Sequence, residues 1–258
     1  MGLFITLFKA SFKSQMQYKF DFFVSILGNI FGLLADFIVL AFILLKFKQI
    51  EGWQLHEIAV LYGIIEFGFG GYRFIGEGLN KFEELVLSGK FDTLLIRPAS
   101  ALFQVMLQKI DFKRLGMLIQ ASAVGLWGLQ NTTFVNGNIY AYMPVMLTVS
   151  VLINLEVSIA LSAIAFWTGK NADIVILGHY STRTAASYPA GIYHNIFSHF
   201  LTFVIPFFTV GYYPLLYFTG KSDNGWLLLS PFFGVLMLTP ITIIVWNAGI
   251  KRYSSSGT

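Results

Sequence analysis

The stretch LSGKFDTLLIRP, at residues 87–98, contains the Ser-Gly-Lys triplet that also occurs in phosphate-binding loops. Such a loop requires Gly-x-x-x-x-Gly-Lys followed by Ser or Thr, between a strand and a helix. Here Lys90 is followed by Phe91, and Glu84 occupies the position of the first glycine. The residues that would cradle phosphate and hold magnesium are therefore missing, and we predict that this chain does not bind nucleotide.

Other residue types that carry chemistry are sparse. The chain has no cysteine, which excludes disulfides, thiol catalysis and thiolate metal sites. Its four histidines are His56, His179, His194 and His199. None belongs to an HExxH motif, and the spacing of His179 and His194 with Asp173 and Ser181 matches no catalytic arrangement of an intramembrane enzyme. We therefore expect neither catalysis, nor a metal, nor a cofactor on this chain.

The composition places the chain in a membrane. Hydrophobic residues make up 56% of the sequence and charged residues only 12%, whereas a soluble domain contains about 25% charged residues. A bilayer core needs about 20 mostly apolar residues in a helix. Six stretches qualify, at about residues 22–45, 55–75, 115–134, 139–167, 197–218 and 226–246. We predict a single all-α integral membrane domain over residues 1–258 with six transmembrane helices.

The basic residues predict the orientation. Loops rich in Lys and Arg remain cytoplasmic. With the N-terminus inside, 14 of the 17 Lys and Arg residues fall on the inner side, including Arg183 in a second cytoplasmic loop at about 168–196. Both termini are thus expected in the cytoplasm. The membrane is expected to be the plasma membrane, which in a bacterium is the inner membrane. Apolar residues from Leu3 to Phe12, with Lys9 and Lys13, predict an N-terminal helix lying in the membrane interface.

Three acidic residues, Asp36, Glu66 and Glu156, lie inside predicted spans. Because a charge in hydrocarbon costs at least about 2.5 kcal/mol, these side chains should face protein or water. They either line a translocation path or form buried hydrogen bonds between helices, and the sequence does not separate the two.

Small residues recur at four-residue spacing in three predicted spans. The pairs are Gly28 and Gly32, Ala59 and Gly63, and Ala121 and Gly125. Such spacing lets helix backbones approach closely in lipid. It favours helix packing within the domain, with contact between two subunits as the less favoured alternative.

The largest segment outside the predicted spans runs from about residue 76 to 114. Within it, EGLNKFEELVLSG places Leu79, Phe82, Leu85 and Val86 on one side of a short amphipathic helix, which Gly89 would end. The helix is either a solvated connection or a docking surface for a cytoplasmic partner.

The sequence of this segment, LSGKFDTLLIRPASALFQ, resembles the characteristic cytoplasmic segment of one branch of the ABC-type 2 export permeases. The stretches EGWQLHE, FVIPF and WNAGIKRYSSSG occur elsewhere in the expected order. The resemblance implies a six-span permease subunit that dimerises, with an identical or a different permease, and binds a separate cytoplasmic ATPase. ATP and magnesium would then bind that ATPase.

The resemblance also implies that residues 77–87 form the coupling helix that contacts the ATPase, with GKFDTLLIRP beside it. The residues expected in this contact are Glu77, Leu79, Phe82, Glu83, Leu85, Val86, Lys90, Phe91, Asp92 and Arg97. Two further interpretations remain open: an ion-coupled secondary transporter that uses Asp36, Glu66 and Glu156, and a membrane scaffold with no transport role.

Overall fold

A computed structural model of the chain describes residues 2–170 and 172–254. Within these residues the regular structure is helical, apart from one isolated bridge between Ile50 and Trp53. The first half contains α1 Gly2–Gln15, α2 Lys19–Phe47, α3 Leu55–Ile75, α4 Glu77–Asn80, α5 Phe82–Leu87, α6 Asp92–Leu95, α7 Ala101–Leu107 and α8 Leu115–Asn131. The second half contains α9 Ile139–Ala163, α10 Ala165–Thr168, α11 Ala172–Val175, α12 Ser181–Ala186, α13 Asn195–His199, α14 Phe207–Val210, α15 Tyr212–Phe218 and α16 Ser230–Arg252. Single turns of 3₁₀-helix cover Met16–Tyr18, Phe112–Arg114, Ala190–Ile192 and Gly225–Leu229, and π-helical turns cover Ile176–Tyr180 and Phe200–Val204.

Four helical stretches within the described residues are long and apolar enough to cross a membrane. They are Phe8–Phe42, Leu55–Ile75, Ile139–Thr168 and Gly225–Arg252. A bent pair, Asn195–Val204 and Phe207–Phe218, makes a fifth if it is counted as one span. Helix α8, in the predicted third span, has 17 residues and is therefore about 25 Å long, slightly less than the roughly 30 Å of a bilayer core.

The bundle has two ends, which we name by a buried aromatic residue at each. The Trp53 end holds the turn between α2 and α3, and the Phe82 end holds α4 to α7. A hydrogen bond from the Gln54 amide to Glu57 Oε2, 2.8 Å long, caps the start of α3. Helix α8 runs antiparallel to α3, since Gly70 lies against Met117 and Gly128 against His56. Helix α9 also reaches the Phe82 end, where the Ser162 hydroxyl donates to the Leu79 carbonyl over 3.0 Å.

The prediction of a cytoplasmic loop at about 168–196 is wrong, because most of this segment is helical and passes through the bundle. Gly169 lies beside Leu87 at the Phe82 end, and Gly191 lies beside Glu51 at the Trp53 end. Between them, Arg183 is buried against Glu66. The polar residues of this segment lower its hydropathy, but His179 and Arg183 are buried and paired inside the bundle, so hydropathy alone could not identify the segment.

The predicted fifth span at 197–218 is not a single straight helix. It is broken at Ile205 and Pro206, and its two halves are bent by 73°. Proline lacks the amide hydrogen that would continue the helix. Before this pair, Gly191 lies at the Trp53 end, and after it Lys221 forms an ion pair with Glu57 at the same end. The segment therefore enters the bundle and turns back near Phe207, whose ring centroid lies 6.0 Å from that of His179.

Small residues make the contact between α3 and α8. A Cβ added to Gly63 would lie 2.6 Å from the Gly125 Cα, and Ala59 and Ala121 are both buried. The prediction of close packing is confirmed for these two helices. It is wrong for Gly28 and Gly32 of α2, where an added Cβ would meet nothing within 4 Å.

We predict that Gly63→Ala lowers the thermal denaturation midpoint of the purified protein, whereas Gly225→Ala does not. The added methyl group at position 63 would collide with the backbone of α8, and such overpacking costs about 1–3 kcal/mol. The same methyl group at the exposed Gly225 would come no closer than 3.9 Å to Tyr217, so that variant serves as the matched control. Equal midpoints for the two variants would contradict the close contact.

Candidate functional site

The segment from Gly76 to Arg114 is closed at its base by ion pairs around Glu77. The Glu77 carboxylate lies 2.8 Å from Arg73 Nε in α3 and 3.6 Å from Arg114 Nη2 just before α8. The Asp111 amide donates to the Phe74 carbonyl over 2.9 Å and ties the same two chain regions together. Glu77 is buried and paired, so it holds the segment on the bundle, and its contact with an ATPase stays a prediction.

The apolar side of the predicted coupling helix faces the bundle. Leu79, Phe82 and Leu85 are buried, as is Phe91, while Val86 is half-buried. The ring of Phe82 lies 4.9 Å from that of Phe166 and 5.3 Å from that of Trp246, measured between centroids. The amphipathic pattern is confirmed, but its apolar residues anchor the segment, so a charge at Phe82 would test folding rather than partner contact.

Gly89 follows the end of α5, as predicted for the short amphipathic helix. Its φ is 66°, in the left-handed region that glycine adopts at low cost. Helix α5 stops at Leu87, and the chain turns back so that the Phe91 amide donates to the Leu85 carbonyl. The turn brings the Phe91 ring to 5.2 Å from the Phe82 ring, which completes the anchor.

A different set of residues faces outward from this segment, and we call it the tip surface. It consists of Glu84, Leu87, Lys90, Leu95, Ile96 and Arg97. Ile96 has 85% of its surface exposed. Of the residues predicted to contact an ATPase, Lys90 and Arg97 belong to this surface, whereas Glu83 and Asp92 are half-buried and make contacts of their own. Leu87, Leu95 and Ile96 were not predicted, although LLIRP contains two of them.

The C-terminal end of α16 contacts the same segment. The ring of Tyr253 lies 5.1 Å from that of Phe91. Burial and the nearby Asp92 carboxylate together raise the pKa of the Tyr253 hydroxyl to about 12, so the hydroxyl stays protonated at neutral pH. The segment is therefore joined to α3, α8 and α16 at once.

A polar cluster lies midway along the bundle, where Arg183 meets two of the three predicted acidic residues. Arg183 Nη1 lies 3.3 Å from Glu66 Oε2, and Arg183 Nη2 lies 3.7 Å from Asp36 Oδ2. The guanidinium also sits 4.4 Å from the centre of the Phe69 ring. The sequence identified Asp36 and Glu66 but placed Arg183 in a loop, so their basic partner was missed.

Glu156, the third predicted acidic residue, lies apart from this cluster. It accepts a hydrogen bond from the Thr239 hydroxyl and so links α9 to α16. Its backbone carbonyl accepts a second hydrogen bond, from the Thr242 hydroxyl over 3.3 Å. These contacts support the alternative in which Glu156 forms hydrogen bonds between helices.

His179 is fully buried and packs with polar and aromatic groups. Its Nε2 lies 2.9 Å from Asn154 Oδ1, and its ring stacks on Tyr72 with centroids 4.6 Å apart. The neighbouring Tyr180 hydroxyl accepts a hydrogen bond from Arg73. Among the described residues, no group of three or more His, Asp or Glu side chains could hold a metal ion.

A family model described as ABC-2 family transporter protein matches residues 30–257. The chain belongs to the ABC-2 transporter family. The match covers most of the chain, including the segment at 76–114, the polar cluster and the bent helix pair. No curated protein and no solved structure matches the chain. The resemblance read from the sequence is thereby confirmed at the level of this family, and membership makes this ABC-2 protein a multi-pass membrane protein.

We predict that Glu77→Gln lowers the thermal denaturation midpoint of the ABC-2 protein. The substitution leaves Arg73 and Arg114 without their shared carboxylate, and breaking a buried ion pair costs about 3–5 kcal/mol. Glu84→Gln is the matched control, because Glu84 is exposed and lies 3.9 Å from Lys81, a surface pair worth about 0–1 kcal/mol. A midpoint for Glu77→Gln equal to that of the control would contradict the anchoring role.

Proposed function

We propose that this ABC-2 protein is the transmembrane permease subunit of an ATP-driven exporter that moves a substrate out of the cytoplasm. A separate cytoplasmic ATPase binds and hydrolyses ATP with magnesium, and this chain has no catalysis of its own. The tip surface carries the proposal, because apolar and basic side chains are exposed together on a segment that is anchored to several helices.

The side chains of the tip surface, and the contacts that hold it on the bundle, are those expected of a surface that binds an ATPase. Leu87, Leu95 and Ile96 supply exposed apolar area, and Lys90 and Arg97 supply positive charge beside it. Exposed apolar residues with a polar rim are typical of protein–protein contacts. Behind them, the Phe82 and Glu77 contacts connect this surface to α3, α8 and α16, so a push on the surface moves those helices.

The proposed topology has six crossings and one hairpin. The crossings are α2, α3, α8, α9 with α10, residues 172–187, and α16, and the hairpin is the bent pair at residues 195–218. At the Phe82 end, the ring of Phe8 in α1 packs 4.9 Å from that of Phe112, and Tyr253 packs on Phe91. We propose that the Phe82 end, with both termini, faces the cytoplasm, since most basic residues lie there.

Single cysteines test this topology directly, because the chain has none of its own. We predict that Ile192→Cys and Asp223→Cys react with a membrane-impermeant maleimide added to intact cells. Ser100→Cys, which is exposed at the Phe82 end, should react only after permeabilisation and serves as the control. Labelling of Ile192→Cys only from the inside would contradict the proposed fifth crossing.

The proposed assembly contains a second permease subunit, identical or related. Helix α2 lies in the least buried of the four long apolar stretches, in which only 11% of the most apolar 18-residue part is buried. Its exposed side includes Gly28, Gly32 and Asp36. A carboxylate at this position is costly against lipid, which supports a protein or aqueous environment for this side of α2.

The transport cycle follows from these contacts. ATP binding closes the ATPase pair and displaces the tip surfaces of two permease subunits. The anchored helices tilt together, and a path between the subunits opens to the outside. The permease thus contributes a two-state conformation whose equilibrium the ATPase shifts.

We predict that Ile96→Asp reduces the amount of ATPase that copurifies with the chain by about tenfold, with the chain itself still present in the membrane. A charge in the apolar part of the contact removes buried apolar area and leaves the carboxylate unpaired. Val135→Asp makes the same kind of change at a residue that is 70% exposed at the Trp53 end, and it should copurify normally.

Two results would contradict the proposal. Equal copurification for Ile96→Asp and Val135→Asp would mean that the tip surface does not contact the ATPase. Transport that continues without any ATPase, and stops when an ion gradient is removed, would favour the ion-coupled transporter instead.

A further inference from the structure

A cavity of about 250 Å³ opens beside the polar cluster, between α2, α3 and the C-terminal part of α12 with the two residues that follow it. Asp36 forms part of its wall, and Glu66 and Arg183 lie deeper. The side chain of Asp36 is 60% exposed, whereas those of Glu66 and Arg183 are 2% and 9% exposed. An accessible carboxylate therefore lies in front of a buried ion pair, on a helix that is apolar enough to cross a membrane.

The charges in this cavity do not balance. Arg183 is the basic residue that lines it, and it faces two carboxylates at 3.3 Å and 3.7 Å. The shorter contact pairs Arg183 with Glu66. Asp36 is then left with the longer contact on an exposed side chain, and with both carboxyl groups ionised the lining of the cavity carries a surplus negative charge.

The buried groups around the cavity have unused hydrogen-bonding capacity. Arg183 Nε is buried without a hydrogen-bond partner among the described residues, and Glu66 Oε2 makes the ion pair with Arg183 Nη1 but no hydrogen bond. Buried polar atoms of this kind are uncommon, and a bound molecule is one way in which they are satisfied. The cavity is thus lined by a buried ion pair with hydrogen-bonding capacity to spare, as well as by the exposed Asp36 carboxylate.

The remaining lining suits an organic cation rather than a hydrated metal ion. Tyr62 and Tyr188 contribute aromatic rings, and Val39 and Leu40 contribute apolar surface. Cations bind to aromatic faces through the ring quadrupole, and alkylammonium groups combine a positive charge with apolar substituents. A hard metal ion would instead need several converging oxygen ligands.

We propose that this cavity binds an organic cation of the alkylammonium type, with Asp36 as the carboxylate that recognises the charge. Glu66 remains paired with Arg183, which fixes the back of the cavity and leaves Asp36 available. The identification of this cation as the transported substrate rests on the proposed function, whereas the binding itself does not.

The test uses the full chain in lipid nanodiscs, together with any ATPase that copurifies with it, and radiolabelled tetraethylammonium as the probe. We expect saturable binding that Asp36→Asn weakens by about tenfold or more, since the substitution removes the charge and keeps the shape. Glu156→Gln is the matched control, because it removes a carboxylate outside the cavity, and its affinity should stay within about twofold of the unmodified chain. Normal elution in size-exclusion chromatography shows that each variant is folded.

Three outcomes would overturn the inference. The first is no saturable binding to the unmodified chain, and the second is equal loss of binding in Asp36→Asn and Glu156→Gln. The third is dissociation of permease dimers in Asp36→Asn with no probe binding to the intact dimer, which would assign Asp36 to a basic side chain of the second subunit. Binding that persists when no ATPase copurifies would support the cavity and contradict the proposed function, so the two claims fail separately.

Discussion

The ion pairs of Glu77 determine how the segment at 76–114 sits on the bundle. This carboxylate contacts Arg73 at the end of α3 and Arg114 just before α8, so it joins the two points at which the segment leaves and re-enters the helices. Without this closure, the segment would rely on the packing of Phe82 and Phe91 and on the hydrogen bond between Asp111 and Phe74, and chain entropy would favour a more mobile loop. With it, the tip surface becomes a fixed part of the bundle that can transmit force.

The same principle, that charges in an apolar surrounding must be paired, explains the polar cluster. Arg183 reaches Glu66 and Asp36 from a segment whose composition is typical of a loop. Lone charges at this depth are strongly disfavoured, yet together these side chains make residues 173–191 part of the bundle. His179 follows the same rule through Asn154 and Tyr72.

Much of the fold could be predicted from sequence, because α2, α3, α9 and α16 are long and apolar enough to show in hydropathy. The amphipathic face with Leu79, Phe82 and Leu85, and the stop at Gly89, also depend on local pattern and were correctly predicted. The passage at 169–191 could not be predicted, since the partners that neutralise Arg183 lie in other helices. For the same reason, Glu77 could not be recognised as an anchor, because Arg114 is distant in sequence.

Membership in the ABC-2 family and the exposed tip surface lead to one central claim: the chain receives its motion from a separate ATPase. Native mass spectrometry of material purified through this chain from its own membrane tests the claim most directly. We predict a complex in which each permease chain is accompanied by one ATPase subunit. A chain that is recovered only alone, or only with copies of itself, under conditions that preserve known membrane complexes would contradict the claim.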